Sequence, residues 1–493
     1  MKGPVAIVQT TNISFRLLQI VALCLQFIIF NPASNADEIK LPELGDTSSA
    51  LISPKKEYEL GRAWLQMFRS RVPLNNDPIV YEYMEHLIFK LAMHSELKDR
   101  RLEVVIIENP TINAFAVPGG VIGIHTGLLS NAKSEDELAS VLSHELAHLS
   151  QRHYARSVEQ AKANAIPTMA ALLASFVLAA TAGGDAGLAA LTITQAAAME
   201  SQLRFSRQNE SEADRIGIKT LAGAGMDPDA AARMFENMLA ASRYSQRPPE
   251  FLLTHPISES RIADARYRAA QYGKKTYTEN LEFHLIRARI LLDFEENPGA
   301  AIKRFQSELE ASSTYAEGNQ YGLVLALTKN NQPEKAQKAL DDLFAQYGHK
   351  IPFDLAQVDL NNNRKEYQKS REILEKLLAL NPKNHPLTVS YAETLLKLQN
   401  FKLAETVLNE HVKLYPTNAQ LWYLLAETHG LAGNIVGVHR ARAEFFVLNG
   451  VLDKAHRQLT YALDLVKNDY QMAARIEERI NDIEEMRRRQ ADL

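Results

Sequence analysis

Cysteine is almost missing from this chain of 493 residues. Cys24 is the only one, so no disulfide can close within the chain and no thiolate metal site can form. A surplus of either charge is missing too. Lys plus Arg number 55 against 59 Asp plus Glu, for a net charge of -4, and no basic block breaks that balance, which argues against a nucleic-acid partner. Aromatic residues make up 8% and hydrophobic residues 46%, ordinary globular values that exclude a disordered, collagen-like or multi-span membrane chain. The length suits roughly two to four domains of usual size.

The first segment present is an address. Lys2 and Arg16 are the only charges before Asp37. Leu17 to Phe30 forms an apolar stretch of 14 residues, too short to cross a bilayer comfortably and right for the core of a signal peptide. Ser34 and Ala36 fit the small positions of a cleavage site, so residues 1–36 are expected to be removed, leaving 37–53 as a linker. An uncleaved anchor is the alternative. Leu23 stands where a lipoprotein would need a small residue before Cys24. Cleavage after Ala36 removes Lys2, Arg16 and Cys24, taking the charge from -4 to -6 and leaving a cysteine-free chain suited to an oxidising compartment.

Two textures follow. Residues 54–273 mix helical spacing, at 56–72 and 78–94, with the β-branched run 102–108 and the run 121–126 after the turn signal Pro118-Gly119-Gly120. Residues 276–493 are almost wholly helical in pattern. Ala301, Ala336, Ser370 and Ala404 recur at intervals of 35, 34 and 34, each with a large apolar residue four positions later: Phe305, Leu340, Leu374 and Leu408. Ala326, Ala392 and Ala426 form a second small-residue family on the partner helices. A 34-residue helix-turn-helix period is that of tetratricopeptide repeats, with an irregular bundle as the plainer alternative. After Ala404 the next good match is Ala455, 51 residues on, which predicts a slip in register. Met472 to Gln490 reads as a solvated terminal helix. Within the first half, residues 165–199 are apolar and broken by Gly183-Gly184-Asp185. They are expected to form a helical hairpin beside the domain, in peripheral contact with a membrane surface, with a true span as the alternative.

The chemistry gathers at 144–148, which read His-Glu-Leu-Ala-His. On a helix, i and i+4 share a face, so both imidazoles can reach one ion while Glu145 touches a metal-bound water, the zinc metalloprotease signature. Two solvated histidines would be the bland reading. Glu210-Ser211-Glu212-Ala213-Asp214 begins 62 residues beyond His148. A catalytic zinc usually takes three protein ligands and a water. Glu210 is then the third ligand beside His144 and His148, and Asp214 the acceptor behind a ligand histidine. Glu212 reads as a surface carboxylate, and His153 as a structural partner or a contact behind a ligand.

His-Glu-x-x-His followed by Glu-x-x-x-Asp resembles the zinc gluzincins of the HtpX and CAAX prenyl protease family. The resemblance extends to Asn113-Ala114-Phe115-Ala116-Val117-Pro118-Gly119-Gly120, Thr126-Gly127-Leu128-Leu129, Phe205-Ser206-Arg207 and Thr254-His255-Pro256. It implies a mainly α fold with a small β-sheet, a gluzincin-type metalloprotease domain over 54–273, and an all-α tetratricopeptide solenoid over 276–493. One Zn2+ per chain is implied, in the periplasm. The implied partners are unfolded or misassembled outer-membrane proteins and the β-barrel assembly machinery. Glu145 would act as the base; His255 and Arg261 are candidates to stabilise the developing oxyanion. His255 can also be read as a fourth ligand that closes the site until it swings away. The strand 121–126 is the expected edge for an extended peptide. Two readings of function stand: an endopeptidase with chaperone-like activity, or a repeat-based assembly scaffold whose protease site is largely latent.

Overall fold

Ser53 starts the first helix. Its hydroxyl accepts the N–H of Lys56, and Pro54 fills a position whose N–H would have no partner, opening α1 (Pro54–Arg69). The computed structural model describes residues 52–163, 207–244, 248–273, 275–311 and 315–491. The signal peptide, nearly all of the linker and the hairpin 165–199 lie outside the described residues. Asp77 caps α2 (Pro78–His94) in the same manner as Ser53 caps α1.

These two helices sandwich a sheet of β1 (Glu103–Ile107), β2 (Ala114–Val117) and β3 (Val121–His125), ordered β1-β3-β2. Side chains alternate across a strand. Val105 and Ile107 therefore meet Trp64, Leu65 and Phe68 of α1, while Val104 and Ile106 meet the core that includes Met84, Ile88 and Leu91 of α2. Burial on both faces explains why the run is almost wholly β-branched. Gly119 and Gly120, at φ +83° and +82°, turn β2 back antiparallel onto β3, and β1 pairs parallel with the other side of β3. The strand expected as an edge is therefore the centre. A run of residues does not disclose that a parallel partner from earlier in the chain will cover its second side. β2 is the edge next to the candidate site.

Among the described residues, five helices and two short ones follow in this half: α3 (Thr126–Asn131), α4 (Glu135–Ser150), α5 (His153–Ala163), α6 (Arg207–Gly223), α7 (Ala230–Tyr244), α8 (Glu250–Thr254) and α9 (Glu259–Ala270). Every residue of α4 from Glu137 to His148 is buried, because α2, α6, α7 and β2 surround it. The His-Glu-x-x-His segment thus lies on a fully packed helix and not on a solvated face.

The helical half stacks as antiparallel pairs. α10 (Leu281–Phe294) packs two ways. Phe283, Ile286 and Ile290 enter the core of the sheet-bearing half, and Leu285, Ala288, Leu291 and Leu292 enter the first repeat core. The recurring small residues fall on α11 (Pro298–Glu310), α13 (Pro333–Tyr347), α15 (Tyr367–Leu380) and α17 (Phe401–His411), all fully buried. Their partners are α12 (Ala316–Lys329), α14 (Ile351–Asn363), α16 (His385–Lys397) and α18 (Ala419–Leu431). The predicted slip is no gap: α19 (Ile435–Leu448) continues the stack with Gly437 and Ala441 in its buried small positions, before α20 (Leu452–Leu465) brings Ala455. The terminal α21 (Tyr470–Ala491) is not simply solvated, since Ile476 and Ile483 are buried with α20. Tyr321 and Tyr391 are core residues, and Tyr423 is exposed.

The array also returns to the sheet-bearing half. Glu82 on α2 accepts from Asn384 Nδ2 at 3.0 Å and from the His385 N–H at 3.2 Å, and Arg289 on α10 donates to Asp77 at 2.6 Å. Among the described residues no helix is long and apolar enough to cross a membrane.

Candidate metal centre

His144 and His148 sit one turn apart on α4, and their Nε2 atoms are 3.0 Å apart. Glu210, in the first turn of α6, reaches both: Oε2 is 3.5 Å from His144 Nε2 and Oε1 is 3.4 Å from His148 Nε2. His255, just past α8, adds its Nδ1 at 3.0 Å from Glu210 Oε1 and 3.3 Å from His144 Nε2. One donor atom from each of these four buried residues lies within 4.8 Å of the others. Glu145 projects from the same turn, buried, with its carboxylate 3.5 Å from His255 Nε2. Burial raises its pKa against the opposing pull of His255, His144 and the Ala116 N–H of β2.

The groups behind the donors are charged and ordered. Asp214 Oδ1 lies 3.0 Å from His144 Nδ1, one turn along α6 from Glu210. Arg261 on α9 donates to both Asp214 oxygens at 2.7 Å and stands 2.9 Å from Glu210 Oε2. Its guanidinium is committed to two carboxylates, so the structure supports a clamp and not the oxyanion role considered for it. His153 Nδ1 lies 2.8 Å from His148 Nδ1, and Glu212 meets His153 Nε2 at 3.2 Å and Arg156 Nη1 at 2.9 Å. Glu212 is therefore no idle surface carboxylate. The fold brings α5 against α6, which the bare spacing of Glu212 from Glu210 could not reveal.

The donor set fits a metal ion. The Nε2 atoms of His144 and His148 converge to 3.0 Å with the Glu210 carboxylate beside both, and Glu145 Oε1 is buried with no hydrogen-bond donor among the described residues. Burial opposes charge on His144, yet Asp214 and Glu210 outweigh it and lift its pKa to about 10. His148 is held well below the ordinary range, first by burial. Phe251 on α8 closes the apolar side, stacked on the His255 ring at 4.7 Å.

A buried His-Glu-x-x-His helix, a carboxylate from a second helix and a stacked helical array define a metallopeptidase joined to a repeat domain. Comparison agrees: residues 78–269 match peptidase family M48 and residues 363–428 match a tetratricopeptide repeat. The beta-barrel assembly-enhancing protease of Escherichia coli O157:H7 is 35% identical over 93% of this chain and 93% of its own. Its counterpart in Vibrio cholerae is 36% identical over 96% of this chain and 97% of its own. A mitochondrial metalloendopeptidase of Schizosaccharomyces pombe is 34% identical over 36% of this chain and 50% of its own. The chain belongs to the beta-barrel assembly-enhancing protease family, and it is a metalloprotease.

Proposed function

We propose that this chain is a periplasmic zinc endopeptidase that aids assembly of outer-membrane β-barrel proteins and degrades misassembled ones. The observation that carries the reading is the meeting of His144, His148, Glu210 and His255 around one point, with the Glu145 carboxylate beside it. Two imidazoles and a carboxylate suit zinc. Bound there, the ion would polarise the scissile carbonyl and bring its water near neutrality in pKa. Glu145, its affinity for a proton raised by burial, takes the water proton and returns it to the leaving amine. Asp214 and Arg261 hold His144 and Glu210 in place. An extended substrate adds to the outer edge of β2, the strand packed against α4. The names of the relatives, the export signal read over 1–36 and the stacked repeats support the barrel-assembly role and the location.

His255 occupies a fourth donor position, which makes the closed geometry a resting state: four protein ligands leave no place for water. The test uses the mature chain and an unfolded outer-membrane protein. Glu145→Gln should abolish cleavage while metal content stays at one zinc per chain, and His255→Ala should raise basal cleavage. Undiminished cleavage by Glu145→Gln, or a purified chain that holds no zinc, would sink the proposal.

A further inference from the structure

The two ligand histidines are backed by different machinery. Asp214 meets the far nitrogen of His144 directly, at 3.0 Å. Behind His148 stands another imidazole: His153 Nδ1, 2.8 Å from His148 Nδ1, with the rings edge to face. A single proton fits between two such nitrogens. His153 is completely buried, and its other nitrogen lies 3.2 Å from Glu212 Oε2, an oxygen that also accepts from Arg156 at 2.9 Å. An ionised carboxylate only accepts, so the His153 Nε2 carries hydrogen and donates to it. In the neutral ring, the form that complete burial favours, the His153 Nδ1 is then a lone pair, and the shared proton belongs to His148 Nδ1. His148 is thereby left with a bare Nε2, the form that can ligate a metal.

We infer that His153, oriented by Glu212 and Arg156, is a positioning residue for the metal centre, fixing the His148 tautomer so that its Nε2 faces the ion. The inference rests on the zinc reading above and adds residues that touch neither metal nor substrate. The local backbone is shaped for this. The chain leaves α4 through Arg152 in the left-handed region, at φ 51°, a conformation a non-glycine residue seldom adopts. That break ends α4 and begins α5 at His153, so the ring turns back onto His148 and does not continue along the helix surface. Arg152 is held there by Nε on Glu57 at 3.0 Å and Nη2 on the Ile52 carbonyl at 2.6 Å. Arg156 also reaches Asn209 Oδ1 at 3.3 Å, tying α5 to the turn that presents Glu210.

The experiment measures zinc affinity on the full mature chain, by competition with a chromogenic chelator, alongside thermal unfolding of each variant. In His153→Asn, the side-chain oxygen replaces the Nδ1 acceptor; in His153→Leu, nothing accepts. His153→Leu should lose about 10- to 100-fold in zinc affinity, and His153→Asn should recover most of it. Glu212→Leu should fall between, because the His153 ring is then free to place its hydrogen on either nitrogen. A purely structural His153 predicts equal melting losses in Asn and Leu variants with zinc affinity unchanged, and that result overturns the inference. An unaltered chain that fails to compete for zinc overturns the metal reading itself and leaves His153 nothing to position.

Discussion

Arg261 carries more of the site than any residue that its immediate sequence context advertises. Its guanidinium is mostly buried between Asp214 and Glu210, and their interaction raises its pKa against the cost of burial. Removing one member of a buried charged set leaves the others uncompensated, at a cost of about 3–5 kcal/mol. Arg261→Leu should therefore lower the free energy of unfolding by an amount of that order, read as a lower urea midpoint, and loosen zinc. Arg261→Lys, which cannot span both carboxylates with a planar fork, should restore only part of either. A midpoint unchanged in Arg261→Leu would refute the clamp. At this scale the sequence was most readable where spacing alone imposes geometry. His144 with His148, and Glu210 with Asp214, share faces because i and i+4 must. Arg261, Glu212 and His153 were misread or left open because their partners come from other helices, and no local pattern encodes which helices will meet.

At the scale of elements, the site depends on how closely α6 approaches α4. Gly217 is the reason they can touch: a Cβ built there would stand 3.1 Å from the backbone nitrogen of His144. Gly217→Val places a branched side chain against backbone that cannot fold away. It should cost about 1–3 kcal/mol through overpacking and push Glu210 away from His144. Zinc retention and the urea midpoint should fall together; a variant as stable and as zinc-loaded as the parent would show that the helices have slack. The same reasoning explains what was legible in the repeats. Ala301, Ala336, Ser370 and Ala404 stand out because close packing of helix pairs tolerates little else there. Gly437 and Ala441 obey the same rule in a register that a strict interval overlooks, so the slip predicted after Ala404 is a shift within a continuous array. The pairing of β3 on both sides is the opposite case, set by contacts distant in sequence.

For the whole molecule, the return contact between array and sheet-bearing half is sensitive to acid. His385, beside Glu82, stacks on His411 with ring planes 11° apart and Nδ1 to Nε2 at 2.9 Å. Burial, with His411 adding to it, lowers the His385 pKa to about 3, and burial lowers that of His411 to about 4. Unfolded imidazoles bind protons below about pH 6.5. Between there and pH 4 the unfolded chain holds more protons than the folded one, so stability rises with pH across this window and is lost as pH falls. His385→Gln should flatten that dependence, so that its urea midpoint approaches the parent's as the buffer goes from pH 7 to pH 4.5. Parallel curves for the two chains would contradict this.

Because α10 sends Phe283, Ile286 and Ile290 one way and Leu285, Ala288 and Leu291 the other, the seam between catalyst and scaffold is a shared wall with no hinge in it. A fragment ending before that wall would bare a greasy socket, and one beginning with it would bare the matching plug. Neither piece would make a sound module for grafting, and a nick in the preceding loop should leave both parts clinging together under conditions that do not denature them.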